Sequence, residues 1–298
     1  MSLKGDKVML KTFEYLQPKT LEEALSMMKS CKGSFRLIAG GTDVIVQIRS
    51  GKTPPDYLIS LKALNKELGI LEEKEEGLDI GALVTHRILE KSPTIQKEYA
   101  ALYDGVSQVG SVQVRNVGTI GGNVCSSLPS ADSAAPLLIL GAKLNIVGDR
   151  EESICIEEFF TGPGENILKN NQILKSIFIP KLPKNSNSAY EKLGRRKAME
   201  IPVVGAASYI QVDKKTGICL DARIALASSA PTPIRCYKAE QTLVGQSAEK
   251  EIFVKAGKLA AQEANPRTSF RATEEYRRSV IPVLVERSLS RSLNRIKK

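Results

Sequence analysis

Residues 37–44 read Leu-Ile-Ala-Gly-Gly-Thr-Asp-Val, and residues 119–132 read Thr-Ile-Gly-Gly-Asn-Val-Cys-Ser-Ser-Leu-Pro-Ser-Ala-Asp. Each stretch places a glycine pair after an apolar or β-rich segment and ahead of a helical one. Without a Cβ, Gly40 and Gly41 let an anion approach the backbone amides closely. Thr42 adds a hydroxyl, and a helix start behind it adds partial positive charge. Neither stretch is a G-x-G-x-x-G fingerprint or a P-loop. Alone, the first reads as readily as a tight strand-to-helix turn. The second adds Gly118 and the polar side chains of Thr119, Asn123, Ser126, Ser127 and Ser130. Its Asp132 either caps the next helix or accepts hydrogen bonds from a ribose. Together the two stretches point to a long phosphate-bearing cofactor gripped from both sides.

Working outward, Thr20-Leu-Glu-Glu23 forms a capping box for a helix whose apolar face is Leu21, Ala24, Leu25 and Met28. Ser34 to Ile38 is a strand entering the first loop, and Thr42 is placed to cap a helix carrying Val44, Ile45 and Ile48. Tyr57 to Leu61 is a second strand, after the Pro54-Pro55 turn. Further strands are expected over Leu78–Ala82, Lys143–Val147 and Leu174–Ile179. Helices are expected from Thr85, over Tyr99–Val109 and after Asp132, with Pro136 in the first turns. The polar, proline-containing stretch 181–188 is the best boundary. Beyond it, Ala189–Leu193, Val204–Val212 and Cys219–Ala227 read as three strands, followed by helices near 236–244, 248–263 and 273–296. The expected fold is α+β. A two-part α/β domain (residues 1–180, divided near 62) precedes a smaller domain (residues 188–298) with a three-stranded antiparallel sheet and helices.

The chain has 298 residues, 42% hydrophobic and 26% charged, with net charge +10. No apolar run reaches the roughly 18 residues of a membrane span. The polar N-terminus, Met1 to Met9, lacks a signal-peptide core, so a cytoplasmic location is expected. Positive charge gathers at Arg195-Arg196-Lys197 and from Arg287 to Lys298. The plain reading of the latter is a solvated helix; an acidic protein partner is the sharper one. Nucleic acid is disfavoured, because no aromatic reading surface accompanies the charge. Cys31, Cys125, Cys155, Cys219 and Cys236 contain no C-x-x-C pair, which argues against an iron–sulfur or zinc site in this chain. Cys125 reads as a small filler inside the second loop. His86 is the single histidine, which weakens any catalytic triad, and it reads as structural.

The two loops, A-G-G-T-D and T-I-G-G-N-x-x-x-x-x-P-x-x-D, resemble those of the FAD-binding medium subunits of molybdenum hydroxylases, the xanthine dehydrogenase and carbon monoxide dehydrogenase family. The resemblance covers nearly the whole chain, including Gly81-Ala-Leu-Val-Thr-His86 and Ile173-Leu-Lys-Ser-Ile177. It implies that Leu37, Ile38, Ala39, Gly40, Gly41, Thr42, Asp43 and Val44, with Thr119, Ile120, Gly121, Gly122 and Asn123, wrap the pyrophosphate of a non-covalent FAD. It implies that Asp132 binds the adenosine part and that the backbone of Leu174 touches the flavin. Lys192, which alone would read as a surface lysine, matches one that reaches the flavin ring. There an ammonium would stabilise the anionic reduced form. Val109 stands where some relatives carry an aromatic ring over the flavin.

The family further implies a large partner subunit with a molybdenum cofactor and a small one with two [2Fe-2S] clusters, in a dimer of heteromers. Electrons would pass through FAD to NAD(P)+ or another acceptor. A stand-alone flavin oxidase is disfavoured, because the C-terminal region offers no evident acid or base for a substrate. A non-catalytic nucleotide-binding subunit is the alternative from another class.

Overall fold

The computed structural model describes residues 12–50 and 54–297; the Met1–Met9 stretch and Lys298 lie outside them. The first unit is a parallel sheet of Glu14–Leu16, Tyr57–Ser60 and Phe35–Ile38, with Tyr57–Ser60 in the middle. The helix Leu21–Ser30 makes the first crossover. Thr20 caps it by accepting from the Glu23 amide, and Glu23 in turn accepts from the Lys19 amide. Ala24 and Met28 face the sheet side and are buried with Ile59 and Leu64. This is the sequence expectation met at the level of a side-chain cap and an apolar stripe.

The second sheet has five strands, all antiparallel, in the order Leu71–Lys74, Gly77–Gly81, Ile173–Pro180, Lys143–Val147, Glu151–Cys155. Its inner face packs on short helices, Ala100–Val106, Ile120–Cys125 and Ala134–Ile139, around Ile80, Leu102, Val124, Leu138 and Ile177. The two edge strands carry Glu72, Glu73, Lys74, Glu151 and Glu152. Charged edges resist pairing with another chain, and the same charge hides the strands from an apolar-alternation reading.

The third sheet is antiparallel: Ser186–Leu193, Val204–Val212, Cys219–Ala227 and a two-residue fourth strand, Ile234–Arg235. Successive residues of Val204–Val212 face opposite ways. Val204, Ala206, Ile210 and Val212 pack beneath the helices Lys250–Glu263 and Glu274–Ile296. Ala207 and Tyr209 join the core under the five-stranded sheet. Both faces are therefore buried, and the C-terminal sheet shares its inner face with the preceding region.

The basic C-terminal helix is more than a solvated face. Arg291 and Arg295 both reach the buried carboxylate of Asp104 on the helix Ala100–Val106, at 2.9 and 2.8 Å. Asp104 also accepts from the Tyr190 amide at 3.0 Å. Part of the C-terminal charge is thus spent inside the molecule, holding the last helix to the first half of the chain.

Candidate functional site

The two glycine stretches lie against each other. A Cβ on Gly40 would overlap the Val117 carbonyl and crowd Gly118, so this glycine is required for backbone contact between the stretches. Ser126 Oγ donates to Asp43 Oδ2 at 2.7 Å and ties them again. Gly41 has φ +73°, a left-handed conformation that glycine tolerates at no steric cost. The helix behind runs Val44–Arg49. Its first flanking residue is Asp43, which makes no side-chain cap, and not Thr42 as the sequence led us to expect.

The stretches differ in what they leave free. Among the described residues, the amides of Gly40, Gly41, Thr42 and Asp43 donate to no acceptor. Four consecutive unspent donors on a half-buried turn form an anion cradle. The second stretch has little left. Its residues Ile120–Cys125 form a helix capped by Thr119, whose Oγ1 accepts from the Gly122 amide at 3.1 Å. The Ile120 amide goes to Val84, that of Gly121 to Ala82, and that of Asn123 to Thr119. A Cβ on Gly121 would come within 2.6 Å of Ala82. The second glycine pair therefore supplies shape, whereas the first supplies donors.

The second cluster lies under a cleft of about 410 Å³ lined by Gln108, Gly110, Arg115, Lys192, Gly194 and the basic run Arg195–Lys197, among others. Lys192 and Tyr190 alternate on one face of the strand Ser186–Leu193. Lys192 Nζ donates to Asp132 Oδ2 at 2.7 Å and to the Gln108 carbonyl at 3.1 Å. Tyr190 OH donates to Asp132 Oδ1 at 2.8 Å. Asp132 is thus no helix cap; Ser133 flanks the helix Ala134–Ile139 instead. Burial lifts its carboxyl to about 6, although Lys192 and Tyr190 both pull it down. The Tyr190 hydroxyl is pushed well above its ordinary value, first by burial and then by the adjoining carboxylate. Gly205 leaves the room: a Cβ there would strike the Tyr190 ring and hydroxyl.

Arg115 faces the same cleft in a fork on Glu90, at 3.0 and 3.2 Å, and also donates to the Val109 carbonyl. Half-buried Val109 is thereby fixed through its backbone. Leu174 is buried in the core of the five-stranded sheet at a β-bulge, where pairing jumps from Leu174–Ile146 to Ser176–Asn145. Asn123 accepts from Ser133 Oγ at 2.6 Å, which links the second stretch to the Asp132 cluster.

His86 is 2% exposed, and its backbone amide donates to the Gly118 carbonyl. Burial, helped by nearby Arg115, lowers its pKa to about 4, so it is neutral at pH 7. Burial also raises the Cys125 thiol to about 12, which leaves it inert as a nucleophile. Among the described residues no group of three His, Cys, Asp or Glu side chains is placed to hold a metal ion, and no helix is long and apolar enough to cross a membrane.

Sequence reading missed Tyr190, Gln108, Arg115 and Gly205. The i, i+2 spacing of Tyr190 and Lys192 on a predicted strand was an available signal for the first. Nothing local links either residue to Asp132.

Comparison with known proteins identifies the family. The family model for the FAD binding domain in molybdopterin dehydrogenase matches residues 11–182, and that for the CO dehydrogenase flavoprotein C-terminal domain matches residues 188–292. A putative xanthine dehydrogenase FAD-binding subunit of Escherichia coli is 33% identical over 94% of this chain and 95% of its own length. The nicotinate dehydrogenase FAD-subunit of Eubacterium barkeri is 36% identical over 79% of this chain and 81% of its own. A solved chain of carbon monoxide dehydrogenase from Hydrogenophaga pseudoflava superposes with a TM-score of 0.90 at 28% identity, covering 95% of this chain and 98% of that one. The chain therefore belongs to the FAD-binding subunits of the molybdopterin dehydrogenase family and is an oxidoreductase component.

Proposed function

We propose that this chain holds one non-covalent FAD in a multi-subunit molybdenum hydroxylase of the cytoplasm. It receives electrons from two [2Fe-2S] clusters of a small partner subunit and delivers them to NAD(P)+ or another acceptor. Substrate oxidation takes place at a molybdenum cofactor in a large partner subunit, within a dimer of heteromers. Relatives named for xanthine, nicotinate and carbon monoxide share this type of chain. Such different substrates on one scaffold support a substrate choice made outside it.

The observation that carries the reading is the row of four unspent amides at Gly40–Asp43. The FAD pyrophosphate suits them, because each of its oxygens accepts hydrogen bonds and its charge matches the amide dipoles. Bound FAD supplies the chemistry, accepting and releasing electrons singly or in pairs. Lys192 lines the cleft, which supports its assignment to the flavin ring. The contact of Asp132 with Lys192 supports a role for Asp132 at the ring end of the dinucleotide, in place of the adenosine role implied by the resemblance. Residues 1–180 form the FAD domain in this scheme, and residues 188–298 close over its flavin end.

Acid precipitation of the purified chain tests the reading. FAD is expected in the supernatant at about one per chain. FMN, flavin retained in the pellet, or no flavin after incubation with FAD would contradict it.

A further inference from the structure

Resting on that reading, we infer that Asp132 is a redox-linked proton acceptor of the flavin site, with Tyr190 as the residue that positions it. When the bound flavin takes up an electron pair, Lys192 shifts its contact from Asp132 towards the ring, and Asp132 takes a proton from solvent.

The geometry carries the inference. Asp132 is 6% exposed, and each of its oxygens is held by one donor, Tyr190 OH or Lys192 Nζ. Lys192 is the sole member of the trio that lines the cleft. A buried carboxylate whose only counter-ion among the described residues would also face a redox cofactor cannot keep its charge state independent of that cofactor. Asp104, Arg115 and Arg196 nearby are already compensated. Asp104, on the helix packed against the strand of Tyr190, is held by Arg291 and Arg295. Arg115, in the same cleft, is held by Glu90. Arg196, on the cleft rim, pairs with Glu200. Arg195 lies over the Phe270 ring, and Arg195 and Lys197 line the cleft without touching Asp132.

The balance closes at two electrons and two protons. A reductant supplies the electron pair. One proton goes to the ring nitrogen that is protonated on reduction, which leaves the ring with one negative charge. Lys192 faces that charge. Asp132, released from its counter-ion, takes the second proton. Its carboxyl already sits at about 6 with Lys192 in place. At pH 7 it is therefore ionised while the flavin is oxidised. Weakening the Lys192 contact moves the carboxyl further up. Below about pH 6 it is protonated in both redox states, and the second proton disappears.

The test is a potentiometric titration of the FAD-loaded chain with dithionite from about pH 5 to about pH 9. The wild type is expected to take up two protons per electron pair at pH 7–8, so its potential falls twice as steeply with pH as that of Asp132→Asn, which takes up one. Tyr190→Phe keeps the second proton but moves the change of slope to higher pH, because the carboxylate loses a donor. A purely structural tyrosine would not move it. Should Asp132→Asn fail to hold FAD, redox-difference infrared spectra of the wild type decide: a protonated-carboxyl band must appear on reduction at pH 7.5. Equal slopes in wild type and Asp132→Asn, or no such band, would overturn the inference. A wild-type chain that holds no FAD would instead overturn the functional reading beneath it.

Discussion

Replacing Gly40 with alanine is expected to destabilise the chain before any cofactor is added. The added Cβ would overlap the carbonyl oxygen and carbon of Val117, both backbone atoms with no flexible end to swing away. Overpacking of this kind costs about 1–3 kcal/mol, and a clash between two backbones belongs at about 3 kcal/mol. Gly121→Ala meets Ala82 backbone and belongs with it. Gly122→Ala is the control. Its Cβ would meet only Thr119 Oγ1, at 3.0 Å. Alanine within a helix gains about 0.5–1 kcal/mol over glycine. Disturbing the Thr119 cap returns about 1 kcal/mol. The net change is near zero. Urea unfolding of the FAD-free variants reads the difference directly. Wild-type stability in FAD-free Gly40→Ala, together with lost FAD affinity, would refute the reasoning. It would mean that the missing Cβ makes room for phosphate and not for Val117.

Three further outcomes follow from other parts of the molecule. Asp104→Ala is expected to lose about 3 kcal/mol or more, because it strands the Arg295 guanidinium and frees the last helix. Arg291→Ala, whose side chain is 43% exposed, is expected to lose less than about 1 kcal/mol in the same urea assay. His86 is protonated more readily in the unfolded chain, near 6.5, than in the fold, where burial holds it at about 4. Its contribution is complete above pH 6.5 and is lost as pH falls towards 4, amounting to about 3 kcal/mol. His86→Gln is expected to lose that part of the acid slope in stability measured against pH, and an unchanged slope would show that His86 is not the group responsible.

The parts of the fold read most clearly from sequence are those set by local chemistry. The Thr20–Glu23 cap, the strands Val204–Val212 and Cys219–Ala227, and the long final helix each follow from a cap or a period within one segment. The strands Leu71–Lys74 and Glu151–Cys155 escaped because edge strands trade apolar alternation for charge. At the site, the glycine pairs were visible, but their division of labour was not. Whether an amide is spent depends on carbonyls elsewhere, such as Val84 and Ala82 for the second stretch. Asp132 shows the same limit. Its place before an apolar helical run matched a cap, yet the strand of Tyr190 and Lys192, about 60 residues on, claims both its oxygens. The C-terminal arginines read as surface charge because Asp104, their partner, is distant in sequence.

The most direct test of the account is a crystal structure of the chain loaded with FAD. The account predicts pyrophosphate oxygens within hydrogen-bond reach, about 2.7–3.2 Å, of the amides of Gly40–Asp43, with the flavin ring in the cleft beside Lys192. Pyrophosphate bound away from residues 40–43, or a ring remote from Lys192 with adenosine on Asp132, would contradict it.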